Sequence, residues 1–132
     1  MSNISGKETK PEILVRKFLF GKGFRYRKNV KKMPGTPDIV LPKYNTIVFI
    51  HGCFWHGHDK CPKGALPTTN AKFWKQKISR NIARDKSNKE KLLDLGWRVI
   101  IIWQCEIKNK NIALKRLNHL VHQIKSPDYF EM

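Results

Sequence analysis

Three histidines, two cysteines and two large aromatics fall in the run His51-Gly-Cys-Phe-Trp-His-Gly-His58 and the Asp59-Lys60-Cys61 that follows, directly behind the apolar stretch Thr46 to Ile50. Thiolate and imidazole at this local spacing are the donors of a zinc site. Cys53, His58 and Cys61 supply three of them, and Cys105 fits either as the fourth or as a small buried residue at a strand end. Spacing alone admits His56 as readily as His58. A ligand at His56 would force Phe54 and Trp55 to bridge a cramped loop, which favours His58 for the metal and leaves His51 and His56 for proton transfer. Phe54 and Trp55, lying between metal ligands, would then be held rigidly.

Pro37-Asp38 opens an apolar strand with a charge. A turn aspartate after proline explains that locally, but a carboxylate there can also hold a hard cation against phosphate oxygens. A hairpin would carry the paired strand into His51 and His56 and bring those imidazoles close to Asp38. A histidine beside a metal-bound phosphate can give or take a proton near neutral pH. Glu12 reads as the partner of Thr9 in a helix capping box, and Asp85 as an ion-pair partner of Arg84, Lys86 or Lys89. Of the adjacent aromatics Phe73 and Trp74, Trp74 is expected to face outward, where it could stack on a base or wedge a base step.

The chain has 132 residues, with 27 Lys plus Arg against 10 Asp plus Glu and a net charge of +17. A field of that sign concentrates polyanions. No basic amphipathic helix with a clean apolar face and no apolar run of about 20 residues is present, so nucleic acid is the expected partner and a membrane is not. The segment Met1 to Lys10 has no apolar core of a secretory signal, which predicts a reducing compartment. There an odd count of three cysteines argues for metal ligation over disulfides.

These groups must be positioned by a single domain, with residues 1–8 as a flexible tail. Apolar spacing predicts a helix from the Thr9 cap to Gly21 and a half-exposed strand over Phe24 to Arg27. The β-branched runs Asp38 to Leu41 and Thr46 to Ile50 form a hairpin. Pro62 to Thr69 is a loop. Asn70 caps a long helix reaching Leu95, whose apolar stripe of Phe73, Ile78, Ile82, Leu92, Leu93 and Leu95 is broken in the middle by Arg80, Arg84, Lys86 and Lys89, so its centre is expected to be solvated or laid against phosphate. Trp97 to Trp103 is a further core strand, and Ile107 to Lys125 a final amphipathic helix. The expected architecture is α/β, a mixed sheet flanked by helices.

Pro34-Gly-Thr-Pro-Asp38, Val48 through Asp59, Asn70-Ala-Lys-Phe-Trp74, Lys77-Ile78, Asn81, Arg84-Asp85, Gly96-Trp-Arg-Val99 and Trp103-Gln-Cys105 together resemble the very short patch repair mismatch endonucleases, in register from about Thr9 to Glu106. The resemblance implies a restriction-endonuclease-like fold. It also implies that the chain nicks double-stranded DNA beside the thymine of a T·G mismatch left by deamination of 5-methylcytosine. Carried over, Asp38 would be the central Mg2+ ligand with the Ile50 backbone carbonyl. His56 would be the general acid/base, with His51, Asp85 and Glu12 in support. Cys53, His58, Cys61 and Cys105 would hold a structural Zn2+, and Phe54, Trp55 and Trp74 would wedge the DNA. A monomer in the bacterial cytoplasm or nucleoid follows, with other repair proteins as possible partners. Asp59 and Lys60 separate His58 from Cys61 where family members often have one residue, which implies a reshaped zinc loop.

Two other functions compete. One keeps the fold and metal but cuts unmismatched DNA in a restriction or mobile-element setting. The other is a non-catalytic zinc module that binds distorted DNA, which would have no use for an acidic group facing phosphate at Asp38.

Overall fold

The computed structural model describes residues 10–28, 30–53, 55–58 and 67–126. Phe54, Cys61, the Thr9 cap, the tail 1–8 and most of the loop that starts at Pro62 lie outside the described residues. The elements run α1 (Lys10–Gly21), β1 (Arg27–Lys28), β2 (Ile39–Leu41), β3 (Thr46–His51), α2 (Ala71–Asp94), β4 (Arg98–Trp103) and α3 (Lys110–Lys125). They build one four-stranded sheet in the order β1-β2-β3-β4. The first three strands are antiparallel and β4 lies parallel to β3, with Thr46 opposite Arg98 and His51 opposite Trp103. The expected mixed α/β architecture is therefore present. No described helix is long and apolar enough to cross a membrane.

Alternation along the strands divides the core into two layers. Ile39, Leu41, Val48, Ile100 and Ile102 face α1 and α3, where Val15, Leu19, Leu117, Leu120 and Ile124 close the larger cluster. Val40, Ile47, Phe49 and Val99 face the other way and meet Leu92 of α2. Fully burying a side chain such as Leu92 is worth about 2 kcal/mol, so this residue is the main clamp on the C-terminal half of α2. That helix ends where Gly96 (φ +95°) turns the chain. Its N–H donates to the Leu93 carbonyl at 3.0 Å and the Trp97 N–H to Leu92 at 3.0 Å, the paired bonds of a Schellman motif. Arg98 fixes the end of α3 to the sheet by donating to the Ile124 carbonyl at 2.6 Å and to Thr46 Oγ1 at 2.9 Å.

Several local expectations are corrected. The strand expected over Phe24 to Arg27 is instead the short β1, because Phe24 turns fully into the core and only Arg27 and Lys28 pair with β2. Asn70 does not cap α2 with its side chain. It sits in the left-handed region at φ 58°, and its carbonyl accepts the Trp74 N–H at 3.1 Å. The stripe on α2 shrinks to Ile78 and Leu92, while Phe73, Ile82, Leu93 and Leu95 are exposed. Ile107, expected to open the last helix, belongs instead to a separate 3-10 turn over Gln104–Ile107, and α3 starts after Asn109, whose side chain accepts the Ile112 N–H at 3.1 Å.

Candidate active site and metal cluster

The same alternation that puts Phe49 on the α2 face also puts His51 there, one strand-end beyond it. Asp38 stands one residue before β2. Its carboxylate Oδ2 accepts the Ile50 N–H at 2.7 Å, which ties the hairpin's acidic end to β3. Asp38, Ile50, His51, His56, Glu12 and Asp85 together line one open cleft of about 250 Å³. The six residues named for the reaction centre, drawn from α1, the hairpin, the loop after β3 and α2, are thus brought to one place. Lys89 is the only lysine or arginine among its described lining residues.

Asp85 departs from its reading as a partner of the basic residues around it. It lies within 2.6 Å of His56 Nδ1, a contact between residues far apart in sequence, and Asn81 one helical turn earlier donates to the Trp55 carbonyl at 2.8 Å. One face of α2 therefore clamps the loop after β3. Gly57 makes the clamp possible. It has φ +63°, and a Cβ there would stand 2.5 Å from Ile82 Cδ1 and 2.9 Å from Ile78 Cγ2. Asn81 was legible only as part of a motif, although its i, i+4 spacing to Asp85 on the face of Ile78 and Ile82 was a usable signal.

The electrostatics of the cleft suit a cation. Burial pushes the Asp38 carboxyl above its usual range, against the Ile50 N–H and the charges of His56 and Arg16, which favour the anion. A half-buried carboxylate facing a polar cleft is the donor a hard divalent ion would compensate, so Asp38 fits Mg2+. Burial, reinforced by His56, pushes His51 down to about 4 against the pull of Asp85, so this ring is neutral near pH 7. Its Nδ1 is buried without a hydrogen-bond partner among the described residues. His51 stacks flat on His56, centroids 3.8 Å apart. Glu12 is buried at the cleft with Arg16 3.6 Å away on the next turn of α1, a placement that a purely capping role would not give it.

Beside the cleft a second cluster forms. The donor atoms of Cys53, His58 and Cys105 lie within 4.8 Å of one another, with Cys105 Sγ 3.5 Å from His58 Nδ1. Bond lengths of about 2.3 Å to sulfur and about 2.0 Å to nitrogen separate tetrahedral donors by roughly 3.5 to 3.8 Å, so this set fits zinc. Cys105 is brought to it by the 3-10 turn after β4, which makes it more than a small residue at a strand end. On the outer side of the loop Trp55 is 49% exposed and meets Trp74 edge to face at 5.7 Å. Phe73 packs edge-on against Trp74 at 5.1 Å and is 57% exposed, so it and not Trp74 is the more outward of the adjacent pair.

Residues 1–63 match the family model described as DNA mismatch endonuclease Vsr. A type II nicking enzyme, V.NmeAIP of Neisseria meningitidis serogroup A, is 58% identical over 95% of this chain and 89% of the relative. A second, V.XorIIP of Xanthomonas oryzae pv. oryzae, is 42% identical over 92% and 88%. The DNA mismatch endonuclease Vsr of Escherichia coli is 37% identical over 83% of this chain and 70% of its own length. With identity sustained over most of both chains and the acidic, histidine and cysteine residues drawn into two adjoining clusters, this protein belongs to the DNA mismatch endonuclease Vsr family.

Proposed function

We propose that the protein is a Mg2+-dependent endonuclease of restriction-endonuclease-like fold that nicks one strand of duplex DNA beside the thymine of a T·G mismatch. The observation that carries this reading is the convergence of a half-buried carboxylate, Asp38, with the His56–Asp85 pair in one polar cleft on a strongly basic chain. A magnesium ion held by Asp38 and the Ile50 carbonyl would polarise the scissile phosphate. The remaining chemistry belongs to the chain. Asp85 accepts from His56 Nδ1 and fixes the ring, which leaves Nε2 to exchange a proton with the attacking water or the leaving oxygen. His51 packs flat against that ring and, being neutral, adds no repulsion to a proton arriving on it. Glu12 adds negative charge at the cleft wall and is steadied by Arg16.

Zinc held by Cys53, His58 and Cys105, with Cys61 as fourth ligand, would staple the loop after β3 to the end of β4. Purified protein is expected to carry one zinc per chain. Cys105→Ala should lose that metal and melt at a lower temperature, because structural zinc binding is coupled to folding. A metal-free preparation with the wild-type melting temperature would mean these side chains are ordinary core.

Mismatch selectivity is assigned to the aromatic edge of Trp55 and Trp74, and to Phe54 by its place in the motif. Unstacking a base step costs a few kcal/mol and is cheapest where pairing is already distorted, so rigid exposed rings turn a mismatch's weakness into preference. Replacing Trp55 or Trp74 by alanine should remove stacking worth about 1 to 3 kcal/mol, and the loss should fall mainly on the T·G duplex. The measurement is the ratio of cutting on T·G and matched duplexes. An unchanged ratio in both variants would favour nicking without mismatch selection, the reading to which the relatives named nicking enzymes lend weight. A non-catalytic DNA-binding module is disfavoured by the Asp38 carboxylate in the cleft beside His51 and His56.

A further inference from the structure

A continuous column of rings joins the two clusters. His58 lies flat on Trp103, centroids 4.1 Å apart and planes 6° apart. Trp103 meets His51 edge to face at 5.2 Å and 77°. His51 stacks on His56 at 3.8 Å and 6°, and His56 ends on Asp85. Strand register builds the centre of this column, since His51 and Trp103 are partners on the last rung of the parallel β3–β4 pair. Trp103 is anchored from behind. Its N–H donates to Glu106 Oε1 at 2.9 Å, and Arg116 holds the same oxygen at 3.3 Å. The chain then delivers Cys105 two residues later.

We propose that Trp103 is a positioning residue for the reaction: it passes the order imposed by metal at Cys53, His58 and Cys105 through His51 to His56. The metal cluster then sets the catalytic imidazole as well as stapling the fold. The inference rests on the reading of His56 as acid/base and of the cysteine cluster as a zinc site. A metal bond removes the rotation of the His58 ring, and rings in flat contact cannot turn independently. Trp103 lies flat on His58 and edge to face on His51 from the last paired position of β4, so a shift of the His58 ring reaches His51 through that edge contact. A ring removed from the middle of the column leaves both clusters intact in composition but uncouples them. Misplacing a catalytic group by about 1 Å can cost on the order of 100-fold in rate.

The test uses the full chain as wild type, Trp103→Phe and Trp103→Leu, each loaded with zinc or with cadmium, a larger thiophilic ion. Three quantities are read: metal content, the NMR signals of the His56 ring, and single-turnover nicking of a T·G duplex. Exchange of zinc for cadmium should move the His56 ring signals in wild type and in Trp103→Phe, and leave them in place in Trp103→Leu. At full metal loading, Trp103→Leu should nick about 10 to 100-fold more slowly with unchanged DNA affinity, and Trp103→Phe should stay within about threefold of wild type. The proposal is overturned if metal exchange leaves the wild-type His56 signals unmoved, or if it moves them equally in Trp103→Leu. It is also overturned if metal-loaded Trp103→Leu turns over like wild type. Should the leucine variant fail to fold, metal exchange in the wild type and Trp103→Phe decides. A wild-type protein that nicks no T·G duplex would defeat the assigned function alone, and the NMR arm would still decide the coupling.

Discussion

Asp38→Ala is expected to reduce Mg2+-dependent nicking by about 1,000-fold or more, since the polarising metal supplies several kcal/mol of transition-state stabilisation and each 1.36 kcal/mol is tenfold in rate. Affinity for duplex DNA should hold or rise slightly, because attraction to phosphate does not depend on an anion in the cleft. The geometry behind this is specific. Asp38 reaches across the hairpin to the Ile50 N–H, and burial destabilises its charged form, a cost that a bound cation would offset. The fold should survive the loss, because the hairpin is also held by its apolar pairs Ile39 with Val48 and Val40 with Ile47. Gel-shift affinity, circular dichroism and a single-turnover nicking assay on one preparation separate these outcomes. Loss of binding and fold together would contradict the assignment.

His56→Ala should produce the second large effect, a fall of about 100 to 10,000-fold in turnover, the range of a positioned general acid/base. Its signature is selective. Binding should still prefer T·G over matched DNA, because the aromatic edge lies on the outer side of the loop and the lost ring faces the cleft. Asp85→Asn should cost less, since the amide can still orient the ring by a hydrogen bond while withdrawing the charge that stabilises the imidazolium. The hierarchy His56 over Asp85 is read from pre-steady-state rates. Equal and small effects from both substitutions would move the proton-transfer role elsewhere in the cleft.

The sheet was legible because its inner strands are short β-branched runs, Ile39 to Leu41, Thr46 to Ile50 and Val99 to Ile102, flanked by turn residues. The Phe24 to Arg27 segment alternates as a strand should, yet the pattern could not distinguish a paired strand from a chain whose Phe24 drops into the core beside Tyr44. The long helix misled for a different reason. The stripe on α2, expected to be open only at its basic centre, was read as buried at both ends, but about 36 Å of helix at 1.5 Å per residue runs past a small body, and its ends leave Phe73, Leu93 and Leu95 in solvent. Eight basic against three acidic residues on it were the better guide to its open faces.

For the site, local spacing marked Cys53, His56 and His58 because they share a loop, but it could not say which histidine goes with the cysteine; the fold puts His58 beside Cys53 and His56 beside Asp85. Spacing failed at contacts closed by the fold. Asp85 looked like one more charge in a basic helix until α2 laid it against His56, and Glu12 looked like a cap until α1 buried it at the cleft. Trp103 was legible only as the end of a core strand and as part of a motif. Its contacts with His51 and His58 depend on the β3–β4 register, a property no window of sequence contains.

The central claim is that this cleft cuts one strand at a mismatch, and the direct measurement is nick mapping. End-labelled duplexes, identical except for a T·G or a matched pair at one position and varied in flanking sequence, are incubated with the protein and Mg2+ or with chelator. The account predicts a single nick beside the thymine of the T·G duplex, only with Mg2+, and little or no product from the matched duplex. Equal nicking of matched and mismatched DNA, or nicking that persists in chelator, would contradict it.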